Sequence, residues 1–381
     1  MANTFRFCGK IALGRETERF HPVEKKSFSS GWENMTVRFN VLSGTNRVLV
    51  TTQGGKWTND SRNTVRTFSK STADSKGTMI EIPWAKRFDE SEIEKVAGFR
   101  KFVVDLRDPH LKYALQDVVD GKRQIDDELT NAGINSVAEA KKANAKKKEF
   151  IAEHDFSEYV AKLAASDKHK SSMFYISGNY EVSYNADKQR YYTNYHVNRI
   201  TLAPDDAEPM TELKLDFFFA PDAWNDVDGN KYYINGWTQY YDNMAKANGF
   251  APITIVVKEN EKKAAALKRK FSVNEGVKQI GLVLNVVEGA EVVELTMNML
   301  DDETREDIEC GLLDWEEVKR DLGGRAIGDR VSELRFVELT PRKNVVQDTI
   351  YTVEDMHPAM AKQEDEEDMN VDIFSDDDDE L

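Results

Sequence analysis

The chain has 381 residues, 40% of them apolar, and a formal net charge of −16. That length allows roughly two or three folded units. Its only cysteines, Cys8 and Cys310, exclude a disulfide framework, and its most apolar short run, residues 280–287, is too short to span a bilayer.

The charge is unevenly placed. From Glu354 onward there are 13 acidic residues and one basic residue, Lys362, which leaves the body near neutral. The first 72 residues carry 12 Lys/Arg against 5 Asp/Glu. A basic front and an acidic rear on one chain point to a polyanion-binding surface with an acidic tail. The opening residues lack an apolar signal-peptide core, so the expected home is a reducing cytosol.

Residues 1–110 read as strands. FRFCGKIAL is apolar and interrupted by Gly9. In MTVRFNVL, Met35, Val37, Phe39 and Val41 alternate with Thr36, Arg38 and Asn40, SGTN supplies a turn, and RVLVTT returns, which predicts a hairpin over 35–52. Short strands at close spacing suggest a small antiparallel barrel or sandwich. Residues 111–170 turn to Ala, Lys, Glu and Leu, and VAEAKKANAKKKEFIAEH reads as a helix with a basic face. Strands resume over 171–353, with short helical stretches at 258–271 and 301–322 between them. Phe5 and Gly9 have the same spacing as Phe174 and Gly178, which reads as an internal repeat of two similar β units, each glycine permitting a sharp strand bend. Residues 354–381 show no periodicity and are expected to be a disordered acidic tail.

No phosphate loop, nucleophile elbow, zinc-protease pair or C-x-x-C is present, and the six histidines are scattered. No enzyme activity, cofactor or metal is therefore expected. Basic residues interleaved with aromatics are the outstanding pattern. Cations track phosphates, and aromatic faces accept unpaired bases at about 1–3 kcal/mol each. Arg38, Arg47, Lys56, Arg62 and Arg66 are the candidate phosphate partners, with Trp32 and Trp57 as stacking residues. Tyr191, Tyr192, Tyr195 and Arg199 join the candidate set, with packing near the core as the tyrosines' alternative role.

With this body and the ending IFSDDDDEL, the chain resembles OB-fold single-stranded DNA-binding proteins, particularly those of large bacteriophages. The resemblance implies one or two OB-like antiparallel barrels in a mostly β fold with inserted helices (α+β). It implies a role in DNA replication, recombination and repair. It also implies that Ile373, Phe374, Asp376, Asp377, Asp378, Asp379, Glu380 and Leu381 compete with DNA and recruit replication and recombination proteins. In the bacterial form apolar residues follow the acids; here Ile373 and Phe374 precede them. Self-association stays open, and a phage structural or assembly protein that packs through its β domains is the rival reading.

Overall fold

The computed structural model describes residues 3–72, 76–227, 231–243, 245–258, 261–294, 297–321, 325–340 and 345–359. The tail residues Ile373, Phe374, Asp376, Asp377, Asp378, Asp379, Glu380 and Leu381 lie outside them.

The strands are β1 (Thr4–Leu13), β2 (Val23–Ser27), β3 (Trp32–Ser43), β4 (Asn46–Trp57), β5 (Thr64–Phe68), β6 (Met79–Pro83), β7 (Phe102–Asp105), β8 (Lys147–Phe150), β9 (Phe174–Asn185), β10 (Arg190–Leu202), β11 (Met210–Phe219), β12 (Trp224–Val227), β13 (Lys231–Asp242), β14 (Ala247–Lys258), β15 (Lys278–Glu294), β16 (Arg325–Leu339) and β17 (Gln347–Asp348). The helices are α1 (Glu90–Lys95), α2 (Lys112–Val119), α3 (Asp127–Asn131), α4 (Val137–Asn144), α5 (Glu153–Ala164), α6 (Glu261–Phe271), α7 (Asp302–Glu309) and α8 (Trp315–Asp321). All strands but β5 and β6 belong to one sheet. The fold is mostly β with helices set into its connections, as the sequence predicts.

Within that sheet the pairings close twice in the same order. β1 is antiparallel to β3 and to β9, β3 to β4, and β9 to β10, while β4 runs parallel to β10. β11 is antiparallel to β13 and to β15, β13 to β14, and β15 to β16, while β14 runs parallel to β16. Between the third and fourth strands of each circuit lies a helix that packs on the core: α5 in the first, the last of five helices in that connection, and α6 in the second. The two first strands, β1 and β11, pair with each other. Strands from residues 1–110 and 171–353 thus share one circuit.

The repeat expected between Phe5-Gly9 and Phe174-Gly178 takes another form. These segments are antiparallel neighbours, with Phe5 opposite Gly178 and Gly9 opposite Phe174. The strand that repeats β1 is β11. Gly9 marks a change of partner: β1 leaves β9 there and takes up β3 at Lys10. A Cβ on Gly9 would stand 2.5 Å from the Leu42 carbonyl oxygen.

Strand alternation fills the circuits. Phe5, Phe7, Val37, Phe39, Val50, Ile176 and Ile200 face inward in the first, and Leu213, Phe217, Ile234, Ile255, Ile280 and Leu284 in the second. Phe156, Val160 and Leu163 form a helical stripe by which α5 joins this core. Leu267 and Phe271 do the same for α6, with the Phe271 ring 5.0 Å from Phe219.

The basic helix expected over 137–154 is broken in two. α4 ends at Asn144, β8 pairs with β7, and α5 begins at Glu153. The strand wins because it places Phe150 against Phe156 and Tyr159 and gives Glu149 two cation partners, Lys101 at 2.6 Å and Lys147 at 2.5 Å. Residues 354–359 also lie against the sheet: the Phe250 amide donates to the His357 carbonyl at 2.9 Å. Among the described residues no helix is long and apolar enough to cross a membrane.

Candidate nucleic-acid interface

The β3–β4 hairpin forms as its alternation predicts, turning at Gly44, whose φ is +60°. Residues directly opposite across an antiparallel ladder share a face. Trp32 stands opposite Trp57, Arg38 opposite Thr51, and Leu42 opposite Arg47, so Trp32, Arg38, Arg47 and Trp57 share the outer face. The indoles meet edge to face, with centroids 5.2 Å apart at 71°. The Arg62 guanidinium stacks on Trp57 at 3.8 Å. Asn63 fixes that corner, since its Oδ1 accepts from the Trp57 amide at 2.7 Å and its Nδ2 donates to the Trp57 carbonyl at 2.8 Å.

Other candidates stand elsewhere. Lys56 is opposite Glu33, one residue out of phase with Trp57, and so points to the other face. Arg38 is already engaged: it donates to Glu24 at 3.0 Å and to the His21 carbonyl at 3.2 Å. Hydrogen bonds from Lys26 and Arg38 hold the Glu24 carboxyl below its usual range. Arg66 lies on the separate β5–β6 ribbon, where Glu81 neutralises it at 2.9 Å. Thr36 and Asn40, expected on an open face, are buried.

Of the second group, Tyr195 is a core residue, with its ring centroid 5.3 Å from Phe5, 5.1 Å from Phe7 and 5.4 Å from Tyr180. Burial pushes its hydroxyl well above the ordinary tyrosine value. Tyr191 donates to the Phe250 carbonyl at 3.0 Å and packs on Tyr184 and Tyr240, tying the first circuit to β14. Burial first, then the neighbouring tyrosines, push its hydroxyl up to about 12. Tyr192 is 42% exposed and sits under Arg190 at 5.7 Å. Arg199 is exposed on the outer face, opposite Ser177.

The register adds residues to that outer face. Lys10 is opposite Leu42, which is opposite Arg47, making one row across β1, β3 and β4. Arg6 is opposite Ser177, itself opposite Arg199, and the Arg6 guanidinium lies over the Tyr175 ring at 4.5 Å. Among the described residues, none of Arg6, Lys10, Arg47, Arg62 and Arg199 has a carboxylate partner. Arg6 and Lys10 were visible as the polar phase of FRFCGKIAL. Tyr175 was not, because its place depends on the β1–β9 pairing.

Where β10 meets β4, His196 donates from Nε2 to Glu153, with Glu181 3.8 Å from its Nδ1. Burial opposes the imidazolium, but the Glu153 bond and the two carboxylate charges outweigh it and raise the His196 pKa. Stability from this contact is therefore complete below the ordinary histidine value of about 6.5 and is lost as pH rises through the higher folded value. The melting temperature of the wild type is expected to fall, as pH rises across that window, by more than that of His196→Gln. Parallel pH profiles for the two proteins would refute this.

His154, Asp155 and Glu158 bring potential metal-ligand atoms within 4.8 Å of one another. Arg87 holds Asp155 at 2.7 Å and Lys25 holds Glu158 at 3.7 Å, so both carboxylates already carry cations.

No family model matches the sequence, and no curated protein matches it. Among solved structures, the chain is similar to the wild-type single-stranded DNA binding protein from Thermus aquaticus, with 8% identity and a TM-score of 0.30 over 75% of this chain and 85% of that one. It is also similar to a deletion mutant of that protein, with 5% identity and a TM-score of 0.29 over 75% of this chain and 86% of the other.

Proposed function

We propose that this chain is a non-enzymatic single-stranded DNA-binding protein built on two OB-like barrels. The paired circuits support the architecture: a five-stranded antiparallel circuit closed by one parallel contact, with a helix between the third and fourth strands, is the order an OB-like barrel needs. The observation that carries the function is the shared outer face. Arg47 and Lys10 lie in one row and Arg6 and Arg199 in another, with Tyr175, Trp32 and Trp57 supplying rings. Unpaired cations beside aromatic faces suit a strand whose phosphates need neutralising and whose bases need stacking.

In the fuller reading, the protein protects single strands during replication, recombination and repair in the cytoplasm of a phage-infected cell. Its acidic tail, tethered to the same chain as the groove, competes with weak ligands at high effective concentration and recruits partner proteins. Self-association would extend the binding surface.

Tryptophan fluorescence tests the reading. Oligo-dT at low salt is expected to quench the emission of a chain truncated after Ala359, with binding that weakens steeply as salt rises. Duplex DNA should compete poorly. Absence of quenching together with stable high-order oligomers would favour the assembly-protein reading instead.

A further inference from the structure

A cleft of about 810 Å³ opens between the β9–β10 hairpin and the β13–β14 hairpin. Its walls come from both circuits, held together by the Tyr191 hydroxyl on the Phe250 carbonyl. Side-chain amides and phenol rings dominate it: Gln53 on β4, Asn179 on β9, Asn194 on β10 and Asn248 on β14, with Tyr192 and Tyr241. Among the described residues these four amides have no hydrogen-bond partner in the protein. Tyr192 and Tyr241 are 42% and 57% exposed. Among the described residues no lysine or arginine lines the cleft, whereas Glu181 and Asp242 do.

That chemistry repels phosphate and suits a neutral, flat, hydrogen-bonding group. A primary amide presents a donor beside an acceptor, the pattern carried by the edge of a nucleobase. The register places the cleft beside the cations. Asn179 lies two residues beyond Ser177 on β9, on the outer face that carries Arg199 and Arg6. Asn194 and Tyr192 occupy that same face of β10, opposite Glu181 and Ser183.

We propose that this cleft is a base-reading site. Unpaired nucleobases turn into it, stack on Tyr192 and Tyr241, and exchange hydrogen bonds with Asn179, Asn194, Gln53 and Asn248. The sugar-phosphate backbone stays outside, along Arg6, Arg199 and Arg190. The inference rests on the single-strand reading above and deepens it, by assigning base contacts to a part of the surface where phosphate is unwelcome.

The test compares oligo-dT with an abasic oligomer of equal length and charge, using fluorescence anisotropy and the full chain. The wild type is expected to bind the abasic strand at least about tenfold more weakly, the scale of one lost stacked base. The double variant Asn179→Ala/Asn194→Ala, and separately Tyr192→Leu, should bring oligo-dT affinity toward the abasic level and leave abasic affinity within about twofold. Circular dichroism verifies that the variants fold; Tyr192 and Tyr241 are exposed, so Tyr241→Leu serves if the double variant does not. Tight binding of both oligomers with equal affinity would overturn the base-reading site and leave the strand-binding reading intact. Binding of neither by the tail-truncated chain would overturn both.

Discussion

Gly178→Ala is expected to destabilise the protein by about 3 kcal/mol or more, read as a lower urea midpoint with an unchanged slope. A Cβ at this position would fall 1.8 Å from the His196 carbonyl oxygen and 2.9 Å from the Val197 Cα. The approach is close because β10 shifts register between Val197 and Arg199, and the bulge presses its backbone onto β9. The clash is with backbone, which cannot rotate away. Gly98→Ala is the control: it has nothing within 4 Å, and should change stability by less than about 0.5 kcal/mol. Equal midpoints for the two variants would disprove the bulge account.

Arg107→Met carries the second large effect, a loss of about 3–5 kcal/mol, because it leaves a buried carboxylate without its cation. Both Arg107 and Asp105 are more than nine-tenths buried. Arg107 donates to Asp105 Oδ1 at 2.9 Å and Oδ2 at 2.7 Å, to the Lys112 carbonyl at 3.1 Å, and to Asn144 Oδ1 at 2.7 Å. One guanidinium thereby fastens α2 and α4 to the end of β7. Burial works against the Asp105 carboxylate, but the hydrogen bonds and charge of Arg107 prevail and depress its pKa. The depressed value gives stability that is present above the ordinary aspartate value of about 3.9 and is lost as pH falls through the folded value. Replacing both partners, as Asp105→Leu/Arg107→Met, should recover part of the loss. A double variant no more stable than Arg107→Met alone would argue that the contacts to α2 and α4 dominate.

The sequence reveals local structure where one strand's own pattern suffices. Met35, Val37, Phe39 and Val41 announce the inner face of β3, and the SGTN turn fixes the register that pairs Trp32 with Trp57. The same alternation could have separated Lys56 from Trp57 without any structure. Arg38 and Arg66 could not be judged in this way, because Glu24 and Glu81 reach them from other strands. Tyr195 lies in a tyrosine-rich run, and only the β9 and β1 neighbours decide that its ring turns inward. The closing parallel contacts, His196 beside Thr51 and Ile255 beside Leu334, join residues far apart in sequence, where periodicity carries no information. The cleft depends on two hairpins meeting, so its amides read in sequence as ordinary polar strand positions.

The placement of β1 has a consequence for synthesis on the ribosome. Its flanking partners, β9 and β11, begin at Phe174 and Met210. At about 5–20 residues per second, this apolar strand waits roughly ten to thirty seconds for β9, the earlier of the two. Through that interval Phe5, Phe7 and Ile11 have at most the β3–β4 hairpin to cover them. The nascent chain is thus most vulnerable to aggregation early in translation, and a chaperone that shields its first dozen residues would raise the yield of folded protein more than one acting on the finished polypeptide.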